Sequence, residues 1–281
     1  MIGKTGVGKS ATCNTMTGTS SFNSACAGKS VTKKGKLGKM KWQGKCFKIV
    51  DTPGLFDNVM SEKDLKIEII KCLTLILPGP HIIMYVIRVG RFTKEDIETT
   101  DKCLKILDEN PYKFMIIVMT GKDDLDFDGK TPEQYLESVT PEFNTFAEKC
   151  GRRIIFVDNR RKENKEEWKK IYTVIEKLLA DNRPYYTSKL LEKLDVAFGE
   201  LIAKYLKKEE NITREEVVAF LEKDVQNEGG SLKYLAGHVV VGALIGGVIS
   251  AFIALSIPAV AVGTVGGVTV GVAKHKLCTI S

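Results

Sequence analysis

The first ten residues hold the most specific chemical pattern in the chain, G-x-x-x-x-G-K-[S/T] from Gly3 to Ser10. Glycines at this spacing let a backbone loop wrap a phosphate closely, with its N–H groups pointing inward. A helix that begins near Lys9 would add its positive end. Lys9 would then reach the β- and γ-phosphates of a nucleotide, and the Ser10 hydroxyl would bind Mg²⁺. The residues expected to line this site are Gly3, Lys4, Thr5, Gly6, Val7, Gly8, Lys9, Ser10 and Ala11.

A second pair of polar positions follows the apolar stretch at 47–50, which we expect to be a strand. Asp51 and Gly54 form D-x-x-G, and Asp51 stands 42 residues after Lys9. The carboxylate of Asp51 would hold Mg²⁺ through water, and the Gly54 N–H would contact a γ-phosphate. D-x-x-G is common in turns and weak by itself. At the end of an apolar strand in this chain, it predicts a magnesium–nucleotide site.

Two later strand ends supply groups that could recognise a base. Asp123 and Asp124 follow the apolar stretch at 113–119, and Asn159 follows the one at 153–157. A carboxylate accepts two hydrogen bonds from the N1–H and N2–H₂ edge of guanine, and adenine offers no such donor pair. Taken together, the strand ends predict that the chain binds GTP or GDP with Mg²⁺.

The elements that carry these residues alternate between strands and helices along residues 1–180. This order predicts an α/β domain with a mostly parallel sheet flanked by helices. Together with the glycine-rich loop and the guanine-reading acids, it indicates a domain of the P-loop GTPase type. Ligands of such sheets bind at the carboxyl ends of the strands. Only Met1 and Ile2 precede the glycine-rich loop, so the usual first strand is missing, and we expect the sequence to be shortened at its N-terminus. We predict a strand pair within 36–50, further strands at 81–89, 113–120 and 153–157, and helices at 11–16, 61–77, 93–107, 132–150 and 161–180.

The charge of the chain is unevenly distributed. The net charge is +7, and residues 1–50 contain ten lysines and no acidic residue. A lysine-rich face could attract an anionic membrane or, least of all, nucleic acid. We favour a solvated hairpin face on which lysines protect a sheet edge, and we expect no nucleic-acid partner. The seven cysteines are dispersed without a C-x-x-C pair, which is typical of free thiols in a reducing compartment.

Residues 3–180 resemble the GTPases of immunity-associated proteins, a septin-like family related to the Ras-type G domain. The resemblance rests on the loop at 3–10, on Ser30-Val-Thr32, on Asp51-Thr-Pro-Gly-Leu-Phe56, and on Leu77-Pro-Gly-Pro-His-Ile-Ile83 running on to Arg91-Phe-Thr-Lys-Glu95. It implies that Thr32 closes on Mg²⁺ and the γ-phosphate. It also implies that Asp124 reads guanine while Lys122 packs along the base, with Asp123 as the reader if the register shifts by one. The implied catalytic residues are Lys9, Thr32 and Gly54, and the implied metal ligands are Ser10, Thr32 and Asp51.

Two positions depart from the Ras-type pattern. Gly121 stands where those proteins carry Asn, which removes a hydrogen bond that braces the loop, and Asn159 could compensate. Leu55 replaces the glutamine that orients water, so we predict slow intrinsic hydrolysis unless a partner supplies the missing group. His81 is a polar candidate nearby in sequence, but a structural role is favoured. The resemblance further implies GTP-dependent self-assembly; the alternative is a scaffold that holds GTP without hydrolysing it.

The C-terminal third differs in composition from the rest. We assign residues 1–182 to the G domain, 183–230 to an amphipathic helical extension, and 231–277 to a hydrophobic, membrane-associating segment. Residues 234–273 carry no charge, and Val239–Ile257 is long enough to cross a ~30 Å hydrocarbon core. Lysines on both sides favour a hairpin with both ends on the cytoplasmic face of an intracellular membrane. A buried soluble helix pair or a glycine-zipper hairpin is the alternative, and Cys278 begins a C-a-a-X box that fits prenylation.

Overall fold

The fold is described from a computed structural model of the chain. The structure describes residues 1–24, 34–54, 62–90, 110–160, 165–181, 185–209 and 211–242, together with Phe92, Asp96, Thr100 and Leu104. Thr32, Leu55, residue 91, residues 93–95 and residues 243–281 lie outside this set. The predictions for Thr32, for Leu55 and for most of the hydrophobic tail therefore concern residues that are not described.

The strands form a hairpin and a parallel sheet, as the sequence predicts. The antiparallel pair is β1 (Lys36–Trp42) and β2 (Lys45–Asp51), which turn at Gln43 and Gly44 with positive φ. The parallel strands are β3 (Ile83–Arg88), β4 (Met115–Thr120) and β5 (Ile154–Val157), in the spatial order β3-β4-β5. Every residue of β4 is buried, as expected of a central parallel strand.

Met1 and Ile2 lie between β2 and β3. The Ile2 N–H donates to the Met84 carbonyl at 2.9 Å, and the Val86 N–H donates to the Ile2 carbonyl at 2.8 Å, in parallel register with Tyr85. The Met1 amino group donates to the Val50 carbonyl at 2.6 Å. These two residues thus occupy the place of a strand between the hairpin and the sheet, and they lead directly into the glycine-rich loop.

Nine α-helices are assigned within the described residues. A short 3₁₀ helix, Pro111–Phe114, precedes β4. The α-helices are α1 (Lys9–Thr17), α2 (Glu62–Thr74), α3 (Lys122–Phe127), α4 (Pro132–Glu137), α5 (Pro141–Lys149), α6 (Lys165–Asp181), α7 (Lys189–Lys208), α8 (Arg214–Gln226) and α9 (Gly230–Gly242).

Two helices differ from the sequence prediction. The single helix predicted over 132–150 is two helices, because Thr140 caps α5 through the Phe143 N–H and Pro141 occupies the first helical position. The short helix α3 is not among the predicted elements. It begins directly after Gly121, whose φ of 83° is in the left-handed region.

Side chains alternate between the two faces of the sheet and build two cores. On one face, Met84, Val86, Ile116 and Val118 pack with α1 and α6. On the other face, Tyr85, Met115, Ile117 and Met119 pack with α2, α5 and the helices α7–α9. The sheet is therefore covered on both faces, and the loops at its carboxyl edge are held on a rigid base.

The helical extension packs on the domain rather than standing away from it. Apolar side chains of α7, α8 and α9, among them Leu194, Leu221 and Leu235, join the same core as Ile70 of α2. Leu235, which lies in the segment predicted to associate with a membrane, is fully buried there. Among the described residues, no helix combines the length and the apolar composition needed to cross a membrane.

The lysines of the hairpin make specific contacts with the helices. Glu222 of α8, whose side chain is 6% exposed, accepts from the Nζ of Lys39 at 2.8 Å and also pairs with Lys48. Lys45 lies 3.8 Å from Glu176 of α6. Lys39 and Lys48 thus remain about half exposed while they pair with α8, a contact that the prediction of a solvated hairpin face did not include.

Candidate functional site

The glycine-rich loop has the backbone conformation that a phosphate cradle requires. Gly3, Gly6 and Gly8 have φ of 147°, 78° and 97°, a region that residues with a Cβ rarely adopt. A Cβ on Gly3 would also lie 2.3 Å from the Val86 carbonyl oxygen. A larger residue at position 3 would therefore push the loop away from β3. The loop ends where α1 begins at Lys9.

Lys9 is buried inside this loop. Its Nζ donates to the carbonyl oxygens of Gly3 at 2.8 Å and Lys4 at 2.7 Å, and the residue is 6% exposed. The ammonium group is thus held at the centre of the loop, where it would face the phosphates of a nucleotide.

Ser10 and Asp51 meet directly below the loop. The Ser10 hydroxyl donates to Asp51 Oδ2 at 2.6 Å, and Asp51 is 1% exposed. Burial raises the pKa of the Asp51 carboxyl, against the opposing hydrogen bond from Ser10 and the nearby charge of Lys9. Within the described residues, the buried Asp51 Oδ1 accepts no hydrogen bond. A hydroxyl beside a buried carboxylate with one oxygen unsatisfied fits a magnesium ion, which prefers oxygen ligands.

Gly54, which the sequence predicts to contact a γ-phosphate, lies against the loop. A Cβ placed on Gly54 would lie 1.6 Å from Thr5 Oγ1, so the Thr5 side chain touches the Gly54 Cα. Thr52 anchors the same stretch by donating to the Met1 carbonyl at 2.8 Å. The D-x-x-G segment is therefore packed on the phosphate loop.

The carboxyl end of β4 braces the loop from the other side. The Thr120 hydroxyl donates to the Val7 carbonyl at 2.6 Å. The sequence suggested that Gly121 leaves the loop without a brace and that Asn159 could compensate. In the structure, Thr120 makes a hydrogen bond that holds the loop, and the sequence did not point to this residue.

Asn159 braces α1. Its amide Nδ2 donates to Thr12 Oγ1 at 3.0 Å, and its Oδ1 accepts from the Thr15 hydroxyl at 2.8 Å. Its Nδ2 also lies 3.5 Å from where a Gly8 Cβ would stand. Asn159 therefore adjoins the predicted site and ties β5 to the helix that follows the loop.

Asp123 and Asp124 lie in the first turn of α3, beside two arginines. Asp124 Oδ2 accepts from Arg88 Nη2 at 2.9 Å, and its Oδ1 lies 3.5 Å from Arg160 Nη2. Asp123 Oδ2 lies 2.7 Å from Arg160 Nη1. Both arginines come from strand ends, but neither belongs to a pattern that sequence reasoning could have used. Lys122, predicted to pack along a base, pairs with Asp126 at 2.7 Å.

His81 lies away from these groups. It precedes the amino end of β3, whereas the loop and the acids lie at the carboxyl ends of the strands. Its ring packs edge-on against Tyr185 at 6.1 Å between centroids. Burial lowers the pKa of its imidazole. This placement agrees with the structural role favoured from the sequence.

Comparison with known proteins connects this geometry to a family. The model of the AIG1 family matches residues 1–205. The chain is 36% identical over 170 residues to Immune-associated nucleotide-binding protein 10 of Arabidopsis thaliana, covering 59% of this chain and 37% of that protein. It is 31% identical over 205 residues to GTPase IMAP family member 8 of Mus musculus, covering 72% of this chain and 30% of that protein. The chain thus spans about a third of the length of these relatives.

Solved structures share the fold. Toc33 from Arabidopsis thaliana in complex with GDP and Mg²⁺ superposes with a TM-score of 0.50 at 17% identity, over 65% of this chain and 83% of Toc33. A second structure, from work on the chloroplast translocon components atToc33 and psToc159, superposes equally well over 82% of its chain; dimerization is important for the GTPase activity of those two proteins. At this identity the match establishes a P-loop GTPase fold. With the family model covering most of the sequence, the chain belongs to the AIG1 family.

Proposed function

We propose that this chain is a guanine-nucleotide-binding switch that binds Mg²⁺ and hydrolyses GTP slowly. The observation that carries the proposal is the contact between the Ser10 hydroxyl and the buried Asp51, directly beneath a glycine-rich loop that encloses Lys9. Membership of the AIG1 family supports it, as do the GDP and Mg²⁺ bound by Toc33.

The residues of the phosphate half have distinct tasks in this proposal. Lys9 places a positive charge against the β- and γ-phosphates, and the N–H groups of the loop add donors. Ser10 and Asp51 would hold Mg²⁺, joined by Thr32, which lies outside the described residues. The bound ion would neutralise charge on the β- and γ-phosphate oxygens. The Gly54 N–H would donate a hydrogen bond to the γ-phosphate.

Recognition of the base falls to Asp124 in this proposal. Its side chain is 39% exposed, whereas that of Asp123 is 19% exposed and faces Arg160. The pairs of Asp124 with Arg88 and Arg160 are exposed and contribute little, typically up to about 1 kcal/mol. The guanine N1–H and N2–H₂ groups can therefore replace them at small cost. Asp123 is the alternative reader.

Turnover distinguishes this proposal from its alternative, a scaffold that keeps GTP intact. Because Leu55 stands at the position of the water-orienting glutamine, hydrolysis by a single copy should be slow. We also propose that GTP promotes self-association, and the importance of dimerization for the GTPase activity of atToc33 and psToc159 supports this. A hydrolysis rate per molecule that rises with protein concentration would support the switch, and undetectable turnover at every concentration would favour the scaffold.

We further propose that residues 234–273 attach the protein to the cytoplasmic face of an intracellular membrane. The support is the forty-residue stretch without charge, although its first residues pack in the protein core at Leu235. Flotation of the full chain with liposomes tests this proposal. Failure to float, with or without GTP, would contradict it.

Nucleotide selectivity tests the proposed function. The full chain is titrated with fluorescent GTP and ATP analogues, with and without Mg²⁺, and in parallel with Ser10→Ala and Asp124→Ala. We expect tight GTP binding that weakens at least tenfold in each variant and without Mg²⁺, and no comparable ATP binding. Asp128→Asn, an exposed position at the end of α3, serves as the control. Equal affinity for GTP and ATP, or no binding, would refute the proposal.

A further inference from the structure

Thr5 is the loop residue that lies against Gly54 of the D-x-x-G segment. A Cβ on Gly54 would stand 1.6 Å from Thr5 Oγ1 and 2.8 Å from Thr5 Cβ. The threonine hydroxyl therefore rests on the Gly54 Cα, at the residue whose N–H is proposed to contact the γ-phosphate. No residue larger than glycine fits at position 54 beside this side chain.

The Thr5 hydroxyl is buried and makes no hydrogen bond within the described part of the chain. A buried polar group without a partner typically costs about 1–3 kcal/mol. The buried Asp51 Oδ1 likewise makes no hydrogen bond among the described residues, and a bound magnesium ion would account for it. Thr5 is not among the expected metal ligands, and the described residues offer its hydroxyl no partner, so this hydroxyl remains available to a bound nucleotide or to a water beside it.

Threonine also fixes the direction of its hydroxyl better than serine would. Its branched Cβ restricts rotation about χ1, and the contact with Gly54 restricts it further. A reactant must be held by groups of fixed orientation, because misplacement by about 1 Å can lose about 100-fold in rate.

We propose that the Thr5 hydroxyl orients the water that attacks the γ-phosphorus of GTP, in place of the glutamine that Leu55 replaces. This inference rests on the proposed function. In the reaction, the water oxygen forms a bond to the γ-phosphorus. The bond from that phosphorus to the β–γ bridging oxygen breaks, and its electron pair leaves with GDP. Thr5 Oγ1 accepts one hydrogen bond from the water, whose other proton passes to a γ-phosphate oxygen and leaves with inorganic phosphate.

Two substitutions at one position separate the hydroxyl from the shape of the side chain. Thr5→Val keeps the branched shape and removes the hydroxyl, and Thr5→Ser keeps the hydroxyl. Thr173→Val, on the exposed face of α6, is the matched control. For each full-length protein, phosphate release is measured under single-turnover conditions, and the dissociation constant for GTP is measured separately.

The expected result is a loss of rate that exceeds any loss of affinity. In Thr5→Val the hydrolysis rate should fall by about 100-fold, the lower end of the loss seen when one group that stabilises a transition state is removed. Its GTP dissociation constant should change by less than about threefold, since the hydroxyl acts on water. Thr5→Ser, whose hydroxyl is less restricted, should lose some rate but clearly less than Thr5→Val, and Thr173→Val should match the unmodified protein.

Different failures have different meanings. Hydrolysis by Thr5→Val at the original rate, or equal loss in the valine and serine variants, would overturn the role of the hydroxyl. A protein that binds GTP but never hydrolyses it would also overturn that role while leaving nucleotide binding intact. A protein that binds no GTP would overturn the proposed function itself.

Discussion

At the scale of single residues, the site is built from groups that the fold leaves partly unsatisfied. Asp51 is 1% exposed, and burial raises the pKa of its carboxyl. Thr5 Oγ1 and Asp51 Oδ1 accept or donate no hydrogen bond among the described residues. Such groups lower the stability of the protein without ligand, and they would gain partners when nucleotide and metal bind. Functional sites commonly give up stability for activity in this way.

Asp51→Asn should therefore stabilise the protein while disabling the site. The pKa of Asp51 is higher in the folded state than in the unfolded state. The free energy of unfolding therefore falls as the pH rises from the unfolded-state pKa to the folded-state pKa. At pH 7, without nucleotide or Mg²⁺, we expect the asparagine variant to be more stable by about 1–2 kcal/mol and to melt at a higher temperature. Its Mg²⁺-dependent gain in GTP affinity should vanish. A lower melting temperature in the metal-free state would contradict this account.

Thr120→Val should weaken nucleotide binding although Thr120 touches no predicted ligand atom. The substitution removes the 2.6 Å hydrogen bond from Thr120 to the Val7 carbonyl, so the loop loses a contact that fixes its position on β4. A neutral hydrogen bond contributes about 1 kcal/mol, so we expect the GTP dissociation constant to rise by about fivefold. Calorimetry measures it, with Thr145→Val on α5 as the control. Unchanged affinity would mean that the loop keeps its shape without Thr120.

At the scale of elements, most of the strands were predictable and several connections were not. The apolar runs that became β3 and β4 are long enough to be recognised in the sequence. The break between α4 and α5 was signalled by Thr140-Pro141, yet apolar spacing on both sides concealed it. The contacts of Thr120, Arg88 and Arg160 could not be predicted, because they depend on which strand ends lie side by side.

The extension is held to the hairpin by a buried carboxylate. Glu222 pairs with Lys39 and Lys48, whose side chains are 51% and 44% exposed. Glu222→Gln should lower the free energy of unfolding by about 1–2 kcal/mol, less than for a fully buried pair because water screens the lysines. Thermal or denaturant unfolding measures the change, and Glu215→Gln, exposed on the same helix, is the control. Equal stability of the two variants would show that the packing of α8 alone holds the extension.

At the scale of the whole molecule, residues from distant parts of the chain converge at one edge of a sheet. The loop at 3–10, Asp51 and Gly54 from the end of β2, and Thr120 from the end of β4 meet there, and Asp124 follows Thr120 in the first turn of α3. The helices α7–α9 pack on α2 and cover the core on the Tyr85 and Met115 face of the sheet. The sequence predicted this convergence from the order of strands and motifs. The membrane association of the tail stays a prediction from the sequence, because the structure does not describe residues 243–281.

The measurement that most directly tests the central claim compares GTP with XTP in the unmodified protein and in Asp124→Asn. Xanthine carries a carbonyl where guanine carries its N2–H₂ group, so a carboxylate favours guanine and an amide, which can donate, favours xanthine. We predict a preference for GTP that reverses to XTP in Asp124→Asn and persists in Asp128→Asn. A preference for GTP that survives in Asp124→Asn, or that reverses only in Asp123→Asn, would contradict the assignment of Asp124 as the guanine reader.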